Sequence, residues 1–160
     1  VGASRAGCER APTEPDRRAA HPQIVALKEA VGAPERVAEL RSRLPAPFVL
    51  LSGDDATSAD AMLLGFDGVI SVTANVVPAQ MRALCDAARA GDDAAARAAD
   101  APMAGLHSAL FLDPNPIPVK WALHQMQRIG PGIRLPLVPM RAAFEAPVKT
   151  ALADAGALEN

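Results

Sequence analysis

The sequence predicts an α/β fold in which three strand-then-helix units are followed by a run of helices. Three observations predict it. Apolar runs of strand length recur at 24–30, 48–53 and 68–72, and each leads into apolar residues at helical spacing. These runs are apolar at successive rather than alternate positions, which is how a parallel strand buried on both faces reads. After Gly91 the strand pattern stops and only helical periodicity remains, punctuated by prolines.

Composition narrows the function classes. Half of the 160 residues are hydrophobic, enough to bury a core. Formal net charge is −2 and no run of lysine or arginine exceeds two, which points away from nucleic acid and anionic membrane surfaces. One Trp and no Tyr leave few stacking platforms for bases. No apolar segment approaches the roughly 20 residues that span a bilayer, and the N-terminus lacks a charged-then-apolar signal pattern. Cys8 and Cys85 give no disulfide framework, so the expectation is a reducing, cytoplasmic setting. The chain starts with Val1 rather than Met, a hint that it does not start where a gene starts.

Taken in order, residues 1–22 are rich in Arg, Pro, Ala and Glu without apolar periodicity and read as a loop with a poor helix near Pro15 to Ala20. Ile24 to Ala30 is the first strand, with Ile24, Ala26 and Lys28 on one face and Val25 and Leu27 on the other. Lys28 stands out in it. A desolvated lysine loses its proton more readily, and the freed amine can attack a carbonyl. The alternative is that Lys28 is simply the polar end of a strand.

Pro34 suits a first helical turn, and Val37, Leu40 and Leu44 follow at helical spacing until Pro45. Phe48 to Gly53 is the second strand, Thr57 to Leu64 a helix, and Gly68 to Val72 the third strand. Val77, Met81, Leu84, Cys85 and Ala88 mark an amphipathic helix that Asn75 would cap. An alanine-rich helix over 92–111 is interrupted near Pro102. Two proline turns, at 113–118 and 134–139, precede helices carrying Val119, Ala122, Leu123 and Met126, then Val148, Ala151, Leu152 and Ala155. The expected division is a poorly matching segment at 1–22, a partial barrel at 23–91 and a helical domain at 92–160. Three parallel strands leave two unpaired edges, and nothing in the sequence protects them. A complete (β/α)8 barrel takes about 250 residues, so a chain of this length holds only its last units and an appendage.

Lys28-Glu29-Ala30, Leu51-Ser52-Gly53-Asp54-Asp55-Ala56, the run from Gly68 to Val76 and the run from Pro114 to Leu123 together resemble the C-terminal half of the dihydrodipicolinate synthase family. This is a branch of the pyruvate-dependent class I aldolases, whose sister is N-acetylneuraminate lyase. The resemblance covers about 21–158, with the four blocks in the family's order. It implies the last three units of a (β/α)8 TIM barrel followed by a helical domain. It also implies that Lys28 is the Schiff-base lysine, that Gly53 and the main chain of Ile70 line a pyruvate pocket, and that Arg5 holds the carboxylate of aspartate semialdehyde. Arg5 also reads as a solvated terminal arginine, because the residues around it match poorly. The implied substrates are pyruvate and aspartate semialdehyde, the implied assembly a homotetramer, and neither a metal nor an organic cofactor is called for. The side chain of Ile70 is expected in the core.

Other polar residues have plainer readings. Asp54 and Asp55 fit an N-cap and a first-turn acid. His21, His107 and His124 are scattered without ligand spacing. In the family a threonine pair and a proton-transferring tyrosine lie upstream of anything present here, and the chain contains no Tyr. A positioned proton donor contributes roughly 10²- to 10⁴-fold, so a poor enzyme is expected of this chain alone. A non-catalytic product or assembly partner, and a sister aldolase acting on a sugar-derived keto acid, remain as alternatives.

Overall fold

The computed structural model describes residues 21–30 and 33–158. The expected loop and poor helix before Ala20, and Arg5, lie outside them. The first three units run β1 (Ala26–Glu29), α1 (Pro34–Arg43), β2 (Val49–Ser52), α2 (Ser58–Leu63), β3 (Gly68–Val69) and α3 (Pro78–Arg89). All three strands are parallel, in the spatial order β1-β2-β3. Helices α4 (Asp93–Asp100), α5 (Ala104–Ala109), α6 (Ile117–Gln125) and α7 (Glu145–Asp154) follow.

Local sequence explains most boundaries. Pro34 occupies the first turn of α1, and Val37 and Leu40 on its inner face are buried. The side chain of Asp92 caps α4 by accepting from the Ala95 amide at 3.0 Å. Pro102 lies in a single 3-10 turn, Ala101–Met103, between α4 and α5. The amphipathic faces of α3, with Met81, Leu84 and Ala88, and of α7, with Val148, Ala151 and Leu152, join one continuous core that also takes in Leu50, Met103 and Leu106. Arg41 on α1 fastens the start of β3: its guanidinium donates to Gly65 O at 2.6 Å and to Asp67 Oδ2 at 2.8 Å, and Asp67 Oδ2 also accepts from the Leu50 amide at 2.8 Å.

Four expectations are corrected. The strands are shorter than their apolar runs, and β3 is a pair of residues rather than Gly68 to Val72. Ladder pairing, not hydrophobicity, sets strand length, and beyond Ile70 the chain turns into a 3-10 helix, Thr73–Asn75. Asn75 does not cap α3; its side chain folds back to donate to Val72 O at 3.0 Å, and Val77 stands at the cap without a side-chain bond. Asp55 is not a first-turn acid but is buried, at 3% exposure. Last, the sheet is covered on one face only among the described residues. Leu27, Leu50 and Val69 pack against the core, whereas Lys28, Ala26 and Ile70 on the opposite face are exposed.

Candidate active site at Lys28

Register places the site. Lys28 pairs with Leu51 and Leu51 with Gly68, so these three sit level on one face of the sheet. Alternation puts Ala26, Val49, Gly53 and Ile70 on that same face and sends Leu27, Glu29, Leu50, Ser52 and Val69 to the helix side. The neighbours Lys28 and Glu29 therefore point apart. Glu29 turns toward α1, where its carboxylate takes the Arg36 guanidinium at 3.1 Å. Lys28 has no ion-pair or hydrogen-bond partner among the described residues.

The lysine stem lies against β2 beyond its own level. A Cβ built on Gly53 would come 2.5 Å from Lys28 Cε and 3.1 Å from Lys28 Cγ. Real carbon atoms do not approach so closely, so the absent side chain at Gly53 is what lets the lysine cross toward the C-terminal edge of the sheet. That edge is where parallel barrels carry their chemistry. Gly53 itself is anchored by its amide, which donates to Glu29 O at 2.7 Å.

Ile70 completes the row. Its amide donates to Ser52 O at 2.8 Å, and its carbonyl receives no hydrogen bond from the described residues. Its side chain is 47% exposed, which corrects the expectation that it lies in the core. The reason is geometric, because alternation sends it to the face of Lys28, which the described residues leave uncovered. Lys28 in β1, Gly53 just past β2 and Ile70 just past β3 thus lie on one face of the sheet, and Arg5 lies outside the described residues. Among the described residues no group of three His, Cys, Asp or Glu side chains could hold a metal, and no helix is long and apolar enough to cross a membrane.

The sequence model of the Dihydrodipicolinate synthetase family matches residues 3–155. The chain belongs to this family. It is 50% identical over 155 residues to the 4-hydroxy-tetrahydrodipicolinate synthase of Alcanivorax borkumensis, a match that covers 97% of this chain and 53% of that protein. The synthase of Thioalkalivibrio sulfidiphilus is 55% identical over 137 residues, covering 86% of this chain and 47% of the relative. Among solved structures, the chloride-inhibited dihydrodipicolinate synthase of Acinetobacter baumannii in complex with pyruvate superposes with a TM-score of 0.94 at 43% identity, over 98% of this chain and 54% of that one. The chain spans about half the length of the curated relatives it matches. The partial-barrel reading of the fold is borne out by these neighbours.

One polar cluster escaped sequence reasoning. Asp55, read as a helix-start acid, reaches instead to the segment after β3, where its Oδ2 accepts from the amides of Val72 and Thr73, each at 2.9 Å. Thr73 Oγ1 lies 2.8 Å from His107 Nδ1, and His107 Nε2 lies 3.1 Å from Asp100 Oδ1. Nothing in residue spacing announces such a chain. Its members come from four separate segments, and two of its bonds go to main-chain amides that every residue but proline carries.

Proposed function

We propose that this chain carries the Schiff-base half of a 4-hydroxy-tetrahydrodipicolinate synthase, which condenses pyruvate with aspartate semialdehyde on the route to diaminopimelate and lysine. The observation that carries the reading is the stem of Lys28 crossing Gly53 at the C-terminal edge of the parallel strands, with no carboxylate paired to its ammonium group. Family membership and the naming of the relatives support it.

Lys28 is exposed, which corrects the expectation of a desolvated amine, so the reading leans on the absence of a paired carboxylate among the described residues. Once deprotonated, Lys28 Nζ adds to the keto carbon of pyruvate and water leaves, giving a protonated imine. The iminium nitrogen draws electrons from the adjacent carbon, and the methyl group gives up a proton to form an enamine. The enamine carbon bonds to the aldehyde carbon of the semialdehyde, whose oxygen takes a proton. The substrate's own amine then attacks the imine carbon and closes the ring, and Lys28 leaves as the free amine. Electrons balance without an oxidant or reductant. In this reading the carbonyl of Ile70 faces the bound keto acid, Arg5 takes the semialdehyde carboxylate as a bidentate guanidinium, and the protein works as a homotetramer. The proton-transferring tyrosine that the resemblance implies has no match here, because the chain has no tyrosine.

Incubation with pyruvate and borohydride, followed by peptide mass spectrometry, tests the reading. The expected result is a reduced pyruvate adduct on Lys28. An unmodified Lys28 in a chain shown by circular dichroism to be folded overturns it. The face around Lys28 that the described residues leave uncovered favours a second reading, in which the chain acts as an assembly partner; that reading is supported if the chain traps pyruvate only when mixed with a full-length relative.

A further inference from the structure

Asp55 holds a position that the condensation chemistry does not use. It is 3% exposed, and its Oδ1 is buried without a partner among the described residues. A buried carboxylate is costly to hold unless both its oxygens are well bonded. Its Oδ2 collects the Val72 and Thr73 amides at 2.9 Å each and the Thr73 hydroxyl at 3.2 Å. All three donors belong to the segment that follows β3.

The sheet explains why that segment needs holding. Ladder pairing between β2 and β3 covers only Leu51 with Gly68 and Ser52 with Val69, and the last bond across it is Ile70 N to Ser52 O. Past this point no further ladder bond joins the two strands among the described residues. Asp55 lies two residues beyond Gly53, and Val72 lies two beyond Ile70. The carboxylate therefore takes over where the ladder stops and ties the two loops that emerge beside Lys28.

We propose, resting on the reading of Lys28 as the Schiff-base amine, that Asp55 is a positioning residue for the pyruvate pocket. By holding the amides of residues 72 and 73 it fixes the Ile70 carbonyl relative to Gly53 and the lysine stem that crosses it. Thr73 extends the hold to the helices, since its hydroxyl also meets His107, itself bonded to Asp100. Asp55 touches no reacting atom. It sets the distance at which reacting atoms are presented, and misplacement on the order of 1 Å can cost about a hundredfold in rate.

The test uses the whole chain as Asp55→Ala and Asp55→Asn, with Val148→Ala in α7 as a control that lowers stability away from the site. Amide hydrogen exchange reads the clamp independently of chemistry. Exchange at residues 72 and 73 should rise about tenfold or more in Asp55→Ala, and less in Asp55→Asn, which keeps one acceptor oxygen. Borohydride trapping on Lys28 reads the consequence. The pyruvate concentration giving half-maximal trapping should rise about tenfold in Asp55→Ala, while Val148→Ala keeps the wild-type value. If Asp55→Ala does not fold, Asp55→Asn decides both readouts. Unchanged exchange at 72 and 73, or an unchanged pyruvate dependence in a variant whose exchange has risen, overturns the proposal. Failure of the wild-type chain to trap pyruvate would instead sink the lysine reading and with it the role given to the clamp, while the exchange data would still report whether the clamp exists.

Discussion

Leu50 and Leu51 are adjacent in the chain and meet opposite surroundings. Leu50 is fully buried between the sheet and its helices, while Leu51 is half-buried on the face that carries Lys28. The same contrast separates Glu29, bonded to Arg36 on α1, from Lys28, which has no partner among the described residues. One face of the sheet is given to packing and the other, in the proposed function, to chemistry. The two-residue period of a strand keeps them from interfering. A change on one face should therefore cost stability and leave the amine alone, and a change on the other should do the reverse.

The sharpest break in that contrast is at Lys28. Lys28→Arg should abolish pyruvate trapping, because a guanidinium stays protonated and cannot act as the nucleophile, yet stability should move by no more than about 0.5 kcal/mol at an exposed site. Mass spectrometry and urea unfolding on the same preparation check both halves. Across the sheet, Leu50→Ala should cost about 2–5 kcal/mol by opening a cavity in the core, whereas Leu51→Ala should cost about 1 kcal/mol or less. Equal losses in the two urea titrations would erase the distinction between the faces.

Gly53→Ala sharpens the comparison from the chemical side. The new methyl would collide with Lys28 Cε, the far end of a flexible side chain, so the lysine gives way and the backbone does not. Trapping should slow by about tenfold to a hundredfold with little change in unfolding midpoint. A trapping rate equal to wild type would mean that the lysine reaches its substrate by another path.

The smallest effect concerns acid. The Arg141 guanidinium, through its bonds to Asp113, holds that carboxyl below the ordinary carboxylate range. Burial pushes the Asp67 carboxyl up, but the Leu50 amide and Arg41 outweigh it, and the net shift is downward. Both groups bind a proton more readily when unfolded. Their contribution to stability is thus complete above pH about 5, where unfolded carboxyls are almost fully ionised, and is lost as pH falls from there through the lower folded-state values. Asp113→Asn should flatten part of that acid-side loss in thermal melts recorded from pH 5 down to about 2. An unchanged pH profile would show that the Arg141 contact does not persist in solution.

Much of this was legible in the residues themselves. Helix α1 announces its start with Pro34 and its inner face with Val37 and Leu40, because proline geometry and helical periodicity are local rules. The three-strand parallel sheet was legible too, whereas Gly53 and Ile70 joined Lys28 only through the family resemblance, because strand register is set by the folded ladder and not by the residues of any one strand. The face that the described residues leave uncovered was not legible, because an apolar run states that a surface can be buried and not what lies against it. Asp55 was misread for a related reason. A carboxylate after a strand has the composition of a helix start, and only the folded path of the chain brings the amides of Val72 and Thr73 to it.

The continuity of the core carries a consequence for how the chain comes apart. Side chains from α1 through α7 belong to one apolar cluster, and that cluster runs across the Gly91 joint between the strand-bearing units and the later helices. Neither side of the joint owns a separate interior. A protease nick at this exposed glycine would leave two pieces that stay clasped in buffer and fall away together in denaturant, in one cooperative melt.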